Sequence, residues 1–93
     1  MKYTVKFTSK FKRDYKLAIK RGYPIKLLEE TVSLLANRKA LPEKYVDHAL
    51  SGNWVAYRKC HIQDDWLLVY RIEDDVLILT LSRTGIHSDL FGK

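Results

Sequence analysis

The sequence predicts an α+β fold in the order β-α-α-β-β-β, a helical hairpin packed on a small, mainly antiparallel sheet. Apolar and polar residues alternate at the N-terminus and again through the second half of the chain. Two stretches of helical period lie between them, separated by a connection too short for anything but a tight turn.

Tyr3, Val5 and Phe7 alternate with Lys2, Thr4 and Lys6, the pattern of a half-buried strand. Thr8 or Ser9 then caps a helix whose core-facing stripe is Phe11, Tyr15, Ala18 and Ile19, and Gly22 stops it. Pro24 suits the first turn of a second helix, where Leu27, Leu28, Thr31, Val32, Leu34 and Leu35 keep the period until Asn37. From Lys39 to Asn53 periodicity is lost, and Pro42, Gly52 and Asn53 mark a loop that places His48 on irregular chain or a single turn. Three antiparallel strands follow, Trp54 to Ile62, Asp65 or Trp66 to Ile72, and Val76 to Arg83, joined at Gln63-Asp64 and Glu73-Asp74-Asp75. Gly85 permits a tight bend into a short tail that ends Ser88-Asp89-Leu90-Phe91-Gly92-Lys93.

With 93 residues, 46% of them hydrophobic, the chain supports one core, read as a single domain over 1–93. The formal net charge of +6 favours an anionic partner, and it is uneven: residues 1–50 carry 12 Lys/Arg against 5 Asp/Glu, residues 51–93 carry 5 against 6. Between Lys2 and Lys26 the only acidic residue is Asp14, so the helical face Lys12, Arg13, Lys16, Lys20 and Arg21 is poorly neutralised from within. It suits RNA or ribosome contact with a steep salt dependence. The alternating N-terminus is no secretory signal and the longest apolar run, Trp66 to Tyr70, is far too short for a bilayer, so no membrane partner is expected. The single Cys60 cannot form an internal disulfide, which fits a reducing cytoplasm. Its strand neighbour His61 points to the opposite face, so burial is favoured over a nucleophilic role.

RNA carries its own nucleophile. A ribonuclease needs only to deprotonate the 2′-hydroxyl, offset charge on the phosphate and protonate the departing 5′-oxygen. Imidazole suits the proton transfers and guanidinium the phosphate. All three histidines of the chain, His48, His61 and His87, fall in segments with this potential, with Arg83 four residues before His87. Taken alone, Arg83 reads equally well as the partner of a carboxylate such as Asp89, and His87 as a solvated tail residue. Asp65 can orient an imidazole, act as a base or end a strand. No His-x₃₋₅-His or Cys-x₂-Cys pair is present, so neither metal nor cofactor is expected. Trp54, Tyr57, Trp66 and Tyr70 have the spacing of sheet core.

Several separated motifs, namely Tyr45-Val46-Asp47-His48-Ala49-Leu50, Gly52-Asn53-Trp54, Tyr57-Arg58-Lys59-Cys60-His61, Asp65-Trp66-Leu67-Leu68-Val69-Tyr70 and Arg83-Thr84-Gly85-Ile86-His87-Ser88-Asp89-Leu90-Phe91, occur in one order over nearly the whole chain. In this the chain resembles the YafQ branch of the RelE/ParE superfamily of bacterial toxin–antitoxin toxins. The resemblance implies a RelE-like microbial ribonuclease fold and a cytoplasmic, ribosome-dependent mRNA endonuclease, neutralised by a cognate acidic antitoxin through which alone it meets operator DNA. It implies catalysis by His48, His61, Asp65 and His87, with Arg83 on the scissile phosphate and Phe91 under the substrate base; Trp66 joins the substrate contacts, as do Lys12, Arg13, Lys16 and Lys20. His87 is the expected general acid, and His48 and Asp65 compete for the general base. Asp64 and Ala49 stand where relatives often have proline. The alternatives are a gyrase-inhibiting protein of the ParE kind and a passive RNA-binding module, both without RNA cleavage.

Overall fold

The computed structural model describes residues 2–92, so the expected 1–93 boundary has its two end residues outside the described span. Strand β1 is Thr4–Phe7. The Thr8 hydroxyl accepts the Phe11 N–H at 3.0 Å and donates to the Ser82 carbonyl at 2.7 Å, so one side chain both starts helix α1 (Ser9–Lys20) and ties it to the far end of the sequence. Gly22, at φ +78°, ends that helix, and α2 runs Ile25–Ala36 after Pro24. Phe11 and Ala18 are buried as expected, whereas Ile19 is 52% exposed and lies off the core stripe.

The rest of the chain departs from expectation in its loop, its strand limits and its tail. His48–Ala49, expected in a loop, forms a short edge strand β2 between two 3₁₀ turns, Glu43–Tyr45 and Gly52–Trp54. The strand expected from Trp54 begins only at Arg58, because Trp54 closes a 3₁₀ turn and Ala56 takes φ +77°, which interrupts extended chain. Strands β3 (Arg58–Gln63) and β4 (Trp66–Glu73) meet at the Asp64-Asp65 turn. Strand β5 (Ile78–Ile86) runs on past Arg83, so Gly85 is a strand residue and the bend comes after it, into helix α3 (His87–Phe91).

The sheet order is β1-β5-β4-β3-β2, with β1 parallel to β5 and every other pair antiparallel. Strand β4 sits at its centre and is covered on both faces. Leu68 and Tyr70 pack with Cys60, Leu79, Leu81, Phe11 and Leu28 under the helical hairpin. Leu67 and Val69, alternating with them, pack under Leu90 of α3 with Trp54, Tyr57 and Phe91. Among the described residues no helix is long and apolar enough to cross a membrane.

Leu90 seats α3 by sitting on Gly85: a Cβ at position 85 would meet Leu90 Cδ2 at 3.3 Å, and φ there is +156°. The Arg21–Asp89 ion pair, 3.2 Å long with both side chains 45% exposed, adds little to this docking. Gly85→Ala is therefore expected to cost about 1–3 kcal/mol through overpacking, a fall in Tm of roughly 4–8 °C per kcal/mol. Thermal melts followed by circular dichroism check this.

Cys60 is wholly buried on the helix side, and burial, aided by the Asp47 carboxylate, pushes its thiol from the ordinary 9.0 up to about 12. Burial and the hydrogen bond to Asp47 likewise raise the Tyr70 phenol. Both groups hold protons in the native state that the unfolded chain releases. Their contribution to stability is thus complete below about pH 8.5 and lost as pH rises through the alkaline range. Denaturant unfolding at pH 8 and pH 10.5 should show a smaller alkaline loss for Cys60→Ala than for the wild type, the packing cost of the substitution cancelling between the two pH values.

Candidate active site

The face of the sheet opposite the helical hairpin carries the three histidines or borders them. Directly paired residues of antiparallel strands share a face, and the pairs His48–Lys59, Lys59–Val69 and Val69–Arg83 form one row across β2, β3, β4 and β5. His61, Leu67 and Gly85 form the next row. His87 opens α3, which lies over Leu67 and Val69, and Asp65 stands in the adjoining turn. His48, His61, Asp65, His87 and Phe91 thus come together around one surface.

Two of the imidazoles have their orientation set by the backbone. His48 Nδ1 lies 3.0 Å from the Val46 carbonyl and His61 Nδ1 lies 2.8 Å from the Asp64 carbonyl. A carbonyl only accepts, so Nδ1–H donates in both, and each neutral ring presents Nε2 as a lone pair. The loop geometry behind these contacts is tight, with Val46 at φ +47° and Asp64 at φ +42°.

His48 stands on an exposed edge strand of two residues, and the residue before it supplies the anchor. The Asp47 carboxylate accepts from Arg58 Nη2 at 3.0 Å and Nε at 3.2 Å, and from the hydroxyl of Tyr70 in the core. Asp65 has a comparable task. No side chain at Ile86 caps α3, and Asp65 Oδ1 accepts the His87 backbone N–H at 3.4 Å instead. The His87 ring lies 5.1 Å from that of Phe91, tilted by 45°.

Arg83 pairs with Asp14 of α1, not with Asp89. Its Nε and Nη2 donate to the two Asp14 oxygens at 2.7 and 3.1 Å, and the Thr84 N–H adds a third bond to the same carboxylate at 3.1 Å. The pair is largely shielded, with side chains 21% and 13% exposed, and the Asp14 bonds raise the guanidinium further above its usual range. Asp14 is the residue that breaks the basic run of α1, so its isolation in that run was a legible signal that something cationic faces it. Among the described residues Nη1 donates to no acceptor.

The other expected substrate contacts lie elsewhere. Trp66 is corrected outright: it is 4% exposed on the helix side, edge-on to the Tyr23 ring at 5.1 Å, because it alternates with Leu67 and so falls on the hairpin face. Lys12, Arg13, Lys16 and Lys20 are exposed along α1, in the layer across the sheet from the histidines. Lys12 and Lys16 instead edge a groove of about 700 Å³ whose lining includes Val5, Phe7, Phe11, Tyr15, Leu28 and Val32. Two residues not assigned to the site from the sequence join it, Trp54 having been read as sheet core. Trp54 stands edge-on to Phe91 at 5.8 Å, and Lys59 places Nζ 5.2 Å from the centre of the Phe91 ring. The alternation Arg58-Lys59-Cys60-His61, which puts Lys59 on the face of His61, could have flagged the second.

The family model described as the bacterial toxin of type II toxin–antitoxin system, YafQ, matches residues 3–92. The mRNA interferase toxin YafQ of Escherichia coli K12 is 38% identical over 89 residues, 95% of each chain. In the crystal structure of the E. coli DinJ–YafQ toxin–antitoxin complex, a chain 36% identical superposes with a TM-score of 0.90 over 99% of this chain and 100% of its own. A metal-bound toxin from Helicobacter pylori, 41% identical, gives 0.89 over 98% and 100%. In this chain, no group of three or more His, Cys, Asp or Glu among the described residues is disposed to hold a metal ion. By sequence and by fold, the chain belongs to the YafQ family of toxins of bacterial type II toxin–antitoxin systems.

Proposed function

We propose that this chain, acting as one toxin domain in the cytoplasm, is an mRNA interferase that cuts mRNA on the ribosome by acid–base catalysis without a metal ion. The observation that carries the reading is the gathering of His48 and His61 on one sheet face with Asp65 and His87 at its border, Nδ1 of His48 and of His61 being held by a backbone carbonyl so that Nε2 is the nitrogen left over. The E. coli relative named an mRNA interferase toxin supports the substrate class.

The chemistry divides among these groups as follows. A neutral imidazole removes the 2′-hydroxyl proton, the 2′-oxygen attacks phosphorus, and the bond to the 5′-oxygen breaks as His87 delivers a proton to it. The products are a 2′,3′-cyclic phosphate and a 5′-hydroxyl. His48 suits the base, because its Nδ1–H is already engaged and its ring is exposed, whereas Asp65 already accepts a bond from the His87 amide. His61 bears on the phosphate. Arg83 offers Nη1, its other edge being held by Asp14. Phe91, flanked by His87 and Trp54, supports a base by stacking.

The exposed cations of α1 face away from this surface, so they are free to grip ribosomal RNA while the histidine face receives mRNA. The same cations border the apolar groove, and an acidic segment with apolar anchors complements both. We assign that segment to an antitoxin, as the DinJ–YafQ complex of E. coli suggests; seated there it competes with the ribosome.

His87→Ala should lower mRNA cleavage by about 10²–10⁴-fold, the scale of losing one positioned proton donor, while the melt stays that of the wild type. Cleavage of a defined mRNA with and without purified ribosomes measures this, and cutting of free RNA at the ribosomal rate would overturn the ribosome requirement. A DNA-supercoiling assay in parallel separates this activity from gyrase inhibition.

Doubling the salt should weaken ribosome association less for Lys12→Gln/Lys16→Gln than for the wild type. Two phosphate contacts are worth about 1.4 in the slope of log K against log salt on single-stranded RNA. Filter binding to purified ribosomes reads the slope.

A further inference from the structure

We propose that Lys59 is a phosphate-binding catalytic residue of this site, the cation that neutralises the scissile phosphate opposite Arg83. The inference rests on the ribonuclease reading and extends it to a residue in the middle of the histidine face.

Lys59 is the direct cross-strand partner of His48, lies two residues from His61 on the same face, and has only Val69 between it and Arg83 in its row. Strands are spaced about 4.8 Å apart, so the Lys59 and Arg83 backbones stand roughly 10 Å apart, a gap that two side chains and a phosphate fill. The ammonium is held over the Phe91 ring at 5.2 Å, which points it toward the aromatic group proposed to carry the base. Among the described residues Lys59 makes no ion pair, whereas Arg83 is already matched by Asp14 at 2.7 Å. A phosphate approaching Arg83 meets a guanidinium–carboxylate pair of little net charge. At Lys59 it meets an uncompensated cation. Attack by the 2′-oxygen adds negative charge to the non-bridging oxygens, and a compact ammonium at that position stabilises the transition state more than the ground state.

Lys59→Met and Lys59→Arg, in the full chain purified from its antitoxin, test the assignment. Lys59→Met should lower kcat for mRNA cleavage on the ribosome by about 10²-fold, the scale of losing one charge-stabilising donor, and Lys59→Arg should keep most of the activity. Binding of a 2′-O-methyl oligonucleotide, which cannot be cut, should lose about 0.7 from its log–log salt slope in Lys59→Met, one phosphate contact on a single strand. Wild-type cleavage by Lys59→Met, equal losses in the two variants, or an unchanged salt slope would each overturn the role of Lys59. His87→Ala separates this from the larger reading: if it cuts normally the ribonuclease assignment itself fails, and if it is inactive while Lys59→Met is unimpaired only the Lys59 assignment falls.

Discussion

Strand β4 is buried on both faces, and a strand so placed needs two separate covers. The helical hairpin supplies one, closing over Leu68 and Tyr70. The other face has only Leu67 and Val69 to bury, and a five-residue helix with a ring of aromatic residues suffices. That economy shapes the candidate active site. A second long helix would have covered the rows that hold His48, Lys59 and His61; α3 leaves them open and brings His87 and Phe91 to their border. The site is the uncovered remainder of a small core.

The polar contacts that hold these side chains are mostly local bonds to backbone or to one carboxylate each. Asp47 anchors the strand of His48 to Tyr70, Asp65 caps the helix of His87, and Asp14 clamps Arg83 while satisfying the Thr84 N–H that β1, ending at Phe7, leaves unpaired. The short bonds to Asp14 are charge-assisted and stronger than neutral ones, whereas the 3.4 Å contact of Asp65 is long and weak. Each contact also commits a carboxylate to holding position. These aspartates thus serve to hold backbone and side chains in place.

Much of this was legible in the residues. Alternation at Tyr3–Phe7 and from Arg58 onward, and the helical periods of α1 and α2, report burial against a neighbour, so the elements they mark appear where expected. Elements that bury little are silent in such patterns. The edge strand β2 buries neither of its residues, and α3 buries only Leu90, so a loop and a tail were the natural readings. The histidines were legible by chemistry alone. Their company was not, because Asp14 and Arg83 are 69 residues apart and meet only where β5 passes α1. Trp66 was read both as sheet core, from its spacing, and as a substrate contact; the core reading holds, because Trp66 alternates with Leu67 and so falls on the hairpin side.

The distribution of charge differs between the two layers of this small fold. The exposed cations of α1 have one aspartate in their run, and that aspartate is turned inward to Arg83, so the outer surface keeps its positive field. Across the sheet the balance is finer, with carboxylates at Asp47 and Asp65 engaged beside imidazoles and a Lys59 ammonium that makes no ion pair among the described residues. Broad charge on the helix layer gives attraction without geometry, as a large RNA surface or a wrapping acidic peptide requires. Sparse, fixed charge on the histidine face offers geometry in place of net charge. Because β4 separates the two layers, a substitution on the outer surface of α1 can change what the protein docks to without moving an imidazole.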